Sequence, residues 1–185
     1  MDFPKSEFWN YSTQLWCLPD VESICVDLQN NLDADVNLML YCCWVGDMSK
    51  CLNEDDIQTL LDINKPWHTM IKPLRDSRKM MQQQLIAMPS NIIEQTINNI
   101  KEMELNSEHM AQLSIEKALE LENITPCADQ SSIECCLHNL NAYFQSLDSI
   151  SASTDFTPQL SQLLTAIFQD EESVQLAFMN QMAAS

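Results

Sequence analysis

The chain has 185 residues, 45% of them hydrophobic, and 27 acidic against 9 basic residues give a net charge of −18. That is apolar content for one globular domain, or a domain plus an appendage, while the charge opposes nucleic-acid backbones and anionic membrane surfaces and leaves a basic protein as a compatible partner. Glycine occurs once, as Gly46, which argues against a β-rich fold and excludes glycine-rich phosphate loops.

The amino end, Met1-Asp2-Phe3-Pro4-Lys5, holds no apolar stretch of signal-peptide length. No run approaches the roughly 20 apolar residues of a membrane span, and a cytoplasmic location is expected. A first helix is expected over residues 6 to 17, with Ser6 as its cap and Phe8, Trp9, Ser12, Leu15 and Trp16 on one side. Leu18-Pro19-Asp20 breaks the chain, and Asp20 can cap a second helix carrying Val21, Ile24, Cys25 and Leu28. Asn30-Asn31-Leu32-Asp33 reads as a turn with Asp33 in the left-handed region.

The stretch "LDADVNLMLYCCWVGD" then sets Asp33, Asp35 and Asn37 ahead of a run that is apolar on every side from Val36 to Val45. A helix of that kind is surrounded by others. It is the expected centre of the domain, headed by Asp35 or Asp33 and ended by Gly46. Asn53 is expected to cap a fourth helix, with Glu54, Asp55 and Asp56 in its first turn. Pro66 suits the start of a fifth, Pro73 predicts a kink or break, and Leu74 to Ala87 resumes the pattern.

Asn91 and Glu94 form a candidate capping box for the longest element. With no proline or glycine from Ser90 to Thr125, it can reach about 50 Å at ~1.5 Å per residue, as a hairpin arm or a helix bent over the domain. Ser131 to Glu134 is a second capping box, opening a helix to about Leu147. "SISASTDFT", residues 149 to 157, has linker composition. Thr157-Pro158 opens a last amphipathic segment. The expected fold is therefore all-α: a compact helical domain, residues 1–149, around the central apolar helix 36–45, with a long helix and a carboxyl-terminal amphipathic appendage, residues 150–185.

Most chemistries fail on spacing. A calcium loop beginning at Asp33 needs a glycine at its sixth position and a bidentate acid at its twelfth, where this chain has Leu38 and Trp44. Cys127, Cys135, Cys136 and His138 lack a paired C-x-x-C, so no zinc site is expected. None of His68, His109 and His138 stands in a Glu-x-x-His motif, and no metal or other cofactor is expected. Eight cysteines, among them Cys25, Cys42, Cys43, Cys135 and Cys136 in apolar surroundings, are read as buried free thiols of a reducing compartment rather than a disulfide framework. His68 and His138 are read as packed or solvated side chains. A buried helix head needs polar partners, and Arg75 is the candidate to grip its carboxylate. Glu104, Glu108 and Gln112 form a column along one face of the long helix, read as a solvated stripe or an anchor for Arg75 or Arg78.

The stretches "FWNYSTQLW", "CVDLQNNLDADVNLMLYCCW", "PWHTMIKPLR" and "KEMELNSEHMAQL", spread over residues 7 to 120, resemble a family of uncharacterised proteobacterial proteins defined as a domain of unknown function. Asp33 departs from that family, which has glycine there. The resemblance implies a cytoplasmic, mostly helical protein, and genes that neighbour the family's, encoding ABC-type ATPases that act on ribosomes, give a lead for a partner. It picks out Trp9, Gln29, Asp35, Asn37, Trp67, Arg75, Glu104 and Glu108 as positions to test. Two functions follow as expectations. One is a non-enzymatic protein–protein interaction or adaptor module with a basic or ATPase partner. The other is a small-ligand or enzymatic site where Asp35, Asn37 and Arg75 converge on a cavity lined by Trp44 and Trp67.

Overall fold

The computed structural model describes residues 3–83, 89–127, 129–147 and 154–184. Its first helix, α1 (Glu7–Trp16), starts where the Ser6 hydroxyl accepts the Trp9 N–H at 2.8 Å, and it turns Phe8, Ser12 and Leu15 inward. α2 (Val21–Leu32) runs three residues, Asn30 to Leu32, into the expected turn. Asp20 precedes it in the left-handed region and makes no side-chain cap, contrary to expectation, because that backbone conformation aims its carboxylate away from the first N–H groups. Asp33 follows it with φ 53°, the left-handed position read from the sequence.

α3 (Val36–Asp47) is the hub. Every residue from Val36 to Gly46 is buried, Met39 and Trp44 included. It packs chiefly against α6 (Ser132–Gln145), and also against α1, α2 and the long pair α4 (Glu54–Gln82) and α5 (Ser90–Glu116). Phe8 sits edge-on to Tyr41 at 5.2 Å and stacks on Trp44 at 5.4 Å, which fixes α1 to α3. A two-residue bridge links the connector after α3 to the one before α6. β1 (Lys50–Cys51) runs antiparallel to β2 (Thr125–Pro126), with Lys50 opposite Pro126 and Cys51 opposite Thr125.

Neither the separate helix expected from Pro66 nor a break at Pro73 occurs. α4 is one helix of 29 residues, opened by the expected Asn53 cap, here a full capping box with Asp56. Each proline removes one backbone hydrogen bond. Both lie on the exposed side of α4, where the freed carbonyls face water, and α5 supports the opposite side along its length. α5 spans 27 residues, about 40 Å at ~1.5 Å per residue. It is the hairpin form of the long element. Pro89 rather than Asn91 precedes it, so the Asn91–Glu94 box is not used. Residues 84–87, the expected end of the preceding pattern, lie outside the described residues, as do 149–153 of the expected linker.

The Ser131–Glu134 box does open α6. The last amphipathic segment is two helices, α7 (Thr157–Phe168) and α8 (Glu171–Ala184). Leu160, Leu163, Leu164, Val174 and Ala177 from these helices join the same buried cluster as Leu40 and Phe144. Cys25, Cys42, Cys43, Cys135 and Cys136 are buried and free, as expected. Cys51 and Cys127 are not: they are bonded, with Cα atoms 5.5 Å apart. They lie 76 residues apart, and the β1–β2 pairing brings their segments together.

Gly46 does not end α3; it lies inside its last turn. A Cβ there would stand 2.5 Å from both Cα and N of Cys136, so the missing side chain lets α3 and α6 approach. Helix propensity alone favours Gly46→Ala by about 1 kcal/mol. The close approach predicts the opposite sign, a loss of about 1–3 kcal/mol in urea unfolding.

Candidate functional site

The polar head of α3 is where six helices meet. Asp35 is buried and caps α3: its Oδ1 accepts the N–H groups of Asn37 at 2.9 Å and Leu38 at 3.3 Å. Its own N–H donates to the Tyr143 hydroxyl of α6 at 2.7 Å. Its Oδ2 faces His68 Nδ1 of α4 at 3.2 Å. Four orphan N–H groups at a helix start need partners when buried, and one aspartate supplies two of them.

Asn37, one turn into α3, carries the network onward. Its Oδ1 accepts from Gln112 Nε2 at 2.9 Å, and Gln112 Oε1 accepts the Ser12 hydroxyl at 2.7 Å. Asn37 Nδ2 donates to Glu108 Oε2, and Arg75 Nη2 donates to Glu108 Oε1. Arg75 Nη1 donates to Gln29 Oε1 of α2 at 2.7 Å. Arg75 and Glu108 are 17% and 20% exposed, so this ion pair closes the network at the edge of the core.

Asp35, Asn37, Arg75, Glu108 and Gln29 are thus brought together. The expected direct grip of Arg75 on Asp35 is not formed; its carboxylate partner is Glu108, whose other oxygen accepts from Asn37. Glu104 is one turn along α5 and pairs with Arg78 at 2.8 and 3.0 Å. Trp67 is half-buried on α4 and outside the network. Trp44 packs with Phe8 and Tyr41. Trp9 stacks on His109 with ring centres 3.9 Å apart.

Sequence reading missed His68, Ser12, Gln112 as an Asn37 partner, and Tyr143. One signal was available. Asn64, His68, Ile71, Arg75 and Arg78 recur every three or four residues and so share one face of α4, which meets the Glu104, Glu108 and Gln112 face of α5 already read as an anchor for Arg75 or Arg78.

Burial works to raise the Asp35 pKa, but the His68 and Asn64 side chains and the charges of His68 and Arg75 outweigh it and hold the carboxyl below its ordinary value. The hydrogen bond to Asp35 raises His68, against burial. Burial raises Glu108 despite the pull of Arg75. The pair Asp35–His68 can hold a proton, while the other polar groups bind one another. Buried Asn64 Oδ1 has no hydrogen-bond partner among the described residues.

Two surface clefts lie apart from this network. One, of about 580 Å³, is lined by Asp20, Ile24, Asp27, Thr165 and Glu171 among others. The other, of about 480 Å³, lies around Trp16, Leu18 and Val26. Elsewhere, one ligand atom each of Cys51, Cys127 and Cys135 lies within 4.8 Å of the others. Among the described residues no helix is long and apolar enough to cross a membrane.

A family model described as "Protein of unknown function (DUF2390)" matches residues 7–115. That span holds α1 to all but the last residue of α5, and so every member of the polar network except Tyr143. No curated protein and no solved structure matches the chain.

The Asp35–His68 pair makes stability depend on pH. A raised folded pKa for His68 contributes stability that is full below the unfolded value of about 6.5 and is lost as pH rises through the folded value. A lowered folded pKa for Asp35 contributes stability that is present above about pH 3.9 and is lost as pH falls through its folded value. The excess urea resistance of the wild type over His68→Asn is therefore greatest between about pH 4 and 6.5. It should fade on either side; a flat difference from pH 5 to 9 would contradict the pairing.

Proposed function

The chain belongs to the DUF2390 family of proteins of unknown function, and on that footing we propose that it is a non-enzymatic, cytoplasmic helical interaction module whose partner presents a basic, amphipathic segment. The observation that carries this reading is the closure of the polar head. Asp35, Asn37, Arg75, Glu108 and Gln112 bind one another or backbone N–H groups. Polar groups arranged that way are structural, as ionic networks inside folds often are.

The outer surface supports the same reading. Beyond Lys117 the sequence has no lysine or arginine and nine acidic residues. On α8, Leu176, Met179 and Met182 recur at helical spacing and are 56%, 67% and 80% exposed. Glu171 and Glu172 stand at the start of the same helix. An apolar stripe among carboxylates complements a helix with one apolar and one basic face, and methionine side chains adapt to such a partner. An ATPase of the kind those neighbouring genes encode is one candidate for it.

A second reading puts a small ligand at the polar head. The unpartnered, buried Asn64 Oδ1 beside His68 and Asp35 favours it.

The first reading predicts that tagged wild-type protein retains a stoichiometric basic partner from lysate. Met179→Glu with Met182→Glu, both at exposed positions, should lose the partner while leaving helix content unchanged, and moderate salt should weaken the complex. No partner, or equal capture by the double variant, overturns it. Native mass spectrometry of the purified chain tests the second reading: a bound small molecule supports it, and the bare chain mass contradicts it.

A further inference from the structure

We propose that Cys51, Cys127 and Cys135 form a thiolate site that, when reduced, holds a single zinc-class cation, and that the Cys51–Cys127 disulfide is the metal-free form of that site. The three residues come from separate parts of the chain. Cys51 ends β1, Cys127 follows β2, and Cys135 lies in the first turns of α6. Their sulfur atoms all lie within 4.8 Å of one another. Three sulfurs around a zinc ion with Zn–S bonds of about 2.3 Å would be roughly 3.8 Å apart, so small side-chain adjustments suffice.

The backbone around the three is fixed independently of the sulfurs. The Cys127 N–H donates to Ser49 O at 2.8 Å, and β1 pairs with β2. Buried Asn139 donates to Lys50 O at 3.0 Å and accepts the Leu52 N–H at 2.8 Å, which clamps both sides of Cys51 to α6. Gln130 Oε1 lies 3.6 Å from Cys51 Sγ, and this amide oxygen or a water can take the fourth position of a tetrahedral ion. Cys127 and Cys135 are buried and Cys51 is half-buried, so an ion has one side open for entry. Lys50 is the nearest cation along the chain, and its ammonium is engaged by the carbonyls of Leu121 and Ile124. Glu134 adds negative charge beside Cys135, so a divalent cation would be the main positive charge facing the thiolates.

The two forms exclude each other. A dithiol reductant supplies two electrons and two protons to the Cys51–Cys127 bond and leaves as its own disulfide. Zn²⁺ then displaces the three thiol protons. Oxidation by a small-molecule disulfide runs the other way: the ion leaves, the Cys51 and Cys127 thiolates give two electrons as their bond re-forms, the oxidant takes two protons from water and departs as two thiols, and Cys135 takes up a third proton. This site is independent of the α8 surface and of the polar head.

The experiment uses the full chain with Cys17→Ser, which removes the exposed free thiol. Phosphine-reduced, anaerobic protein is titrated with Zn²⁺, and with Co²⁺ for its thiolate charge-transfer band. One equivalent should bind, with that band present, and the disulfide form should bind none. Cys135→Ala and, at the more exposed position, Cys51→Ser should each weaken binding by more than the roughly tenfold that loss of an outer-shell partner causes. Circular dichroism identifies any variant that has unfolded, and Cys51→Ser then decides alone. Absence of uptake by the reduced protein, or unchanged affinity in folded Cys51→Ser, overturns the proposal.

Discussion

The structure depends on satisfying the amino end of a helix that has no face toward water. From Val36 to Gly46 α3 is buried on all sides, so its first N–H groups cannot be solvated. Asp35 answers this locally by accepting two of them, and its negative charge also faces the positive end of the helix dipole. A buried carboxylate then needs its own partners, and these come from α4 and α6 as His68 and Tyr143. Each step toward satisfying one polar group recruits another helix, and the result is a fixed arrangement of helices around α3.

The same logic explains the arm. Arg75 and Glu108 lock α4 to α5 just where Asn37 needs an acceptor, and Arg78 with Glu104 repeats the lock one turn outward. These contacts help keep α4 one continuous helix through two prolines that would otherwise divide it. On the other side of α3, close approach rather than charge does the fixing: Gly46 lets α6 in, Cys136 Sγ donates to Cys43 O, and Asn139 donates to Cys42 O. A polar seam on one flank and a tight apolar seam on the other leave α3 a single seating.

Much of this was legible in the sequence because it is local. The Ser6, Asn53 and Ser131 caps, the left-handed Asp33 and the all-round apolar run are all decided within a few residues, and they stand in the structure as expected. The features that were missed are set by distant neighbours. Pro66 read as a helix start and Pro73 as a kink or break because nothing nearby reveals that α5 will brace α4. Gly46 read as a stop because Cys136, whose backbone it meets, is 90 residues away. Cys51 and Cys127 carry no mutual spacing signal, and His68 read as a lone histidine because its partner lies 33 residues earlier. Asp35, Asn37 and Arg75 were expected side by side and stand so; of the two partners read for Arg75, the anchor on the Glu104–Glu108 face is the one formed and the direct grip on Asp35 is not.

Asp35 is the point on which the account turns, and equilibrium urea unfolding of Asp35→Ala addresses it most directly. Removing the cap leaves the Asn37 and Leu38 N–H groups buried without acceptors. The loss of the cap and the stranding of these groups together predict a stability loss of at least about 3 kcal/mol. A variant that unfolds within about 0.5 kcal/mol of the wild type would show that the head of α3 is not held by this carboxylate.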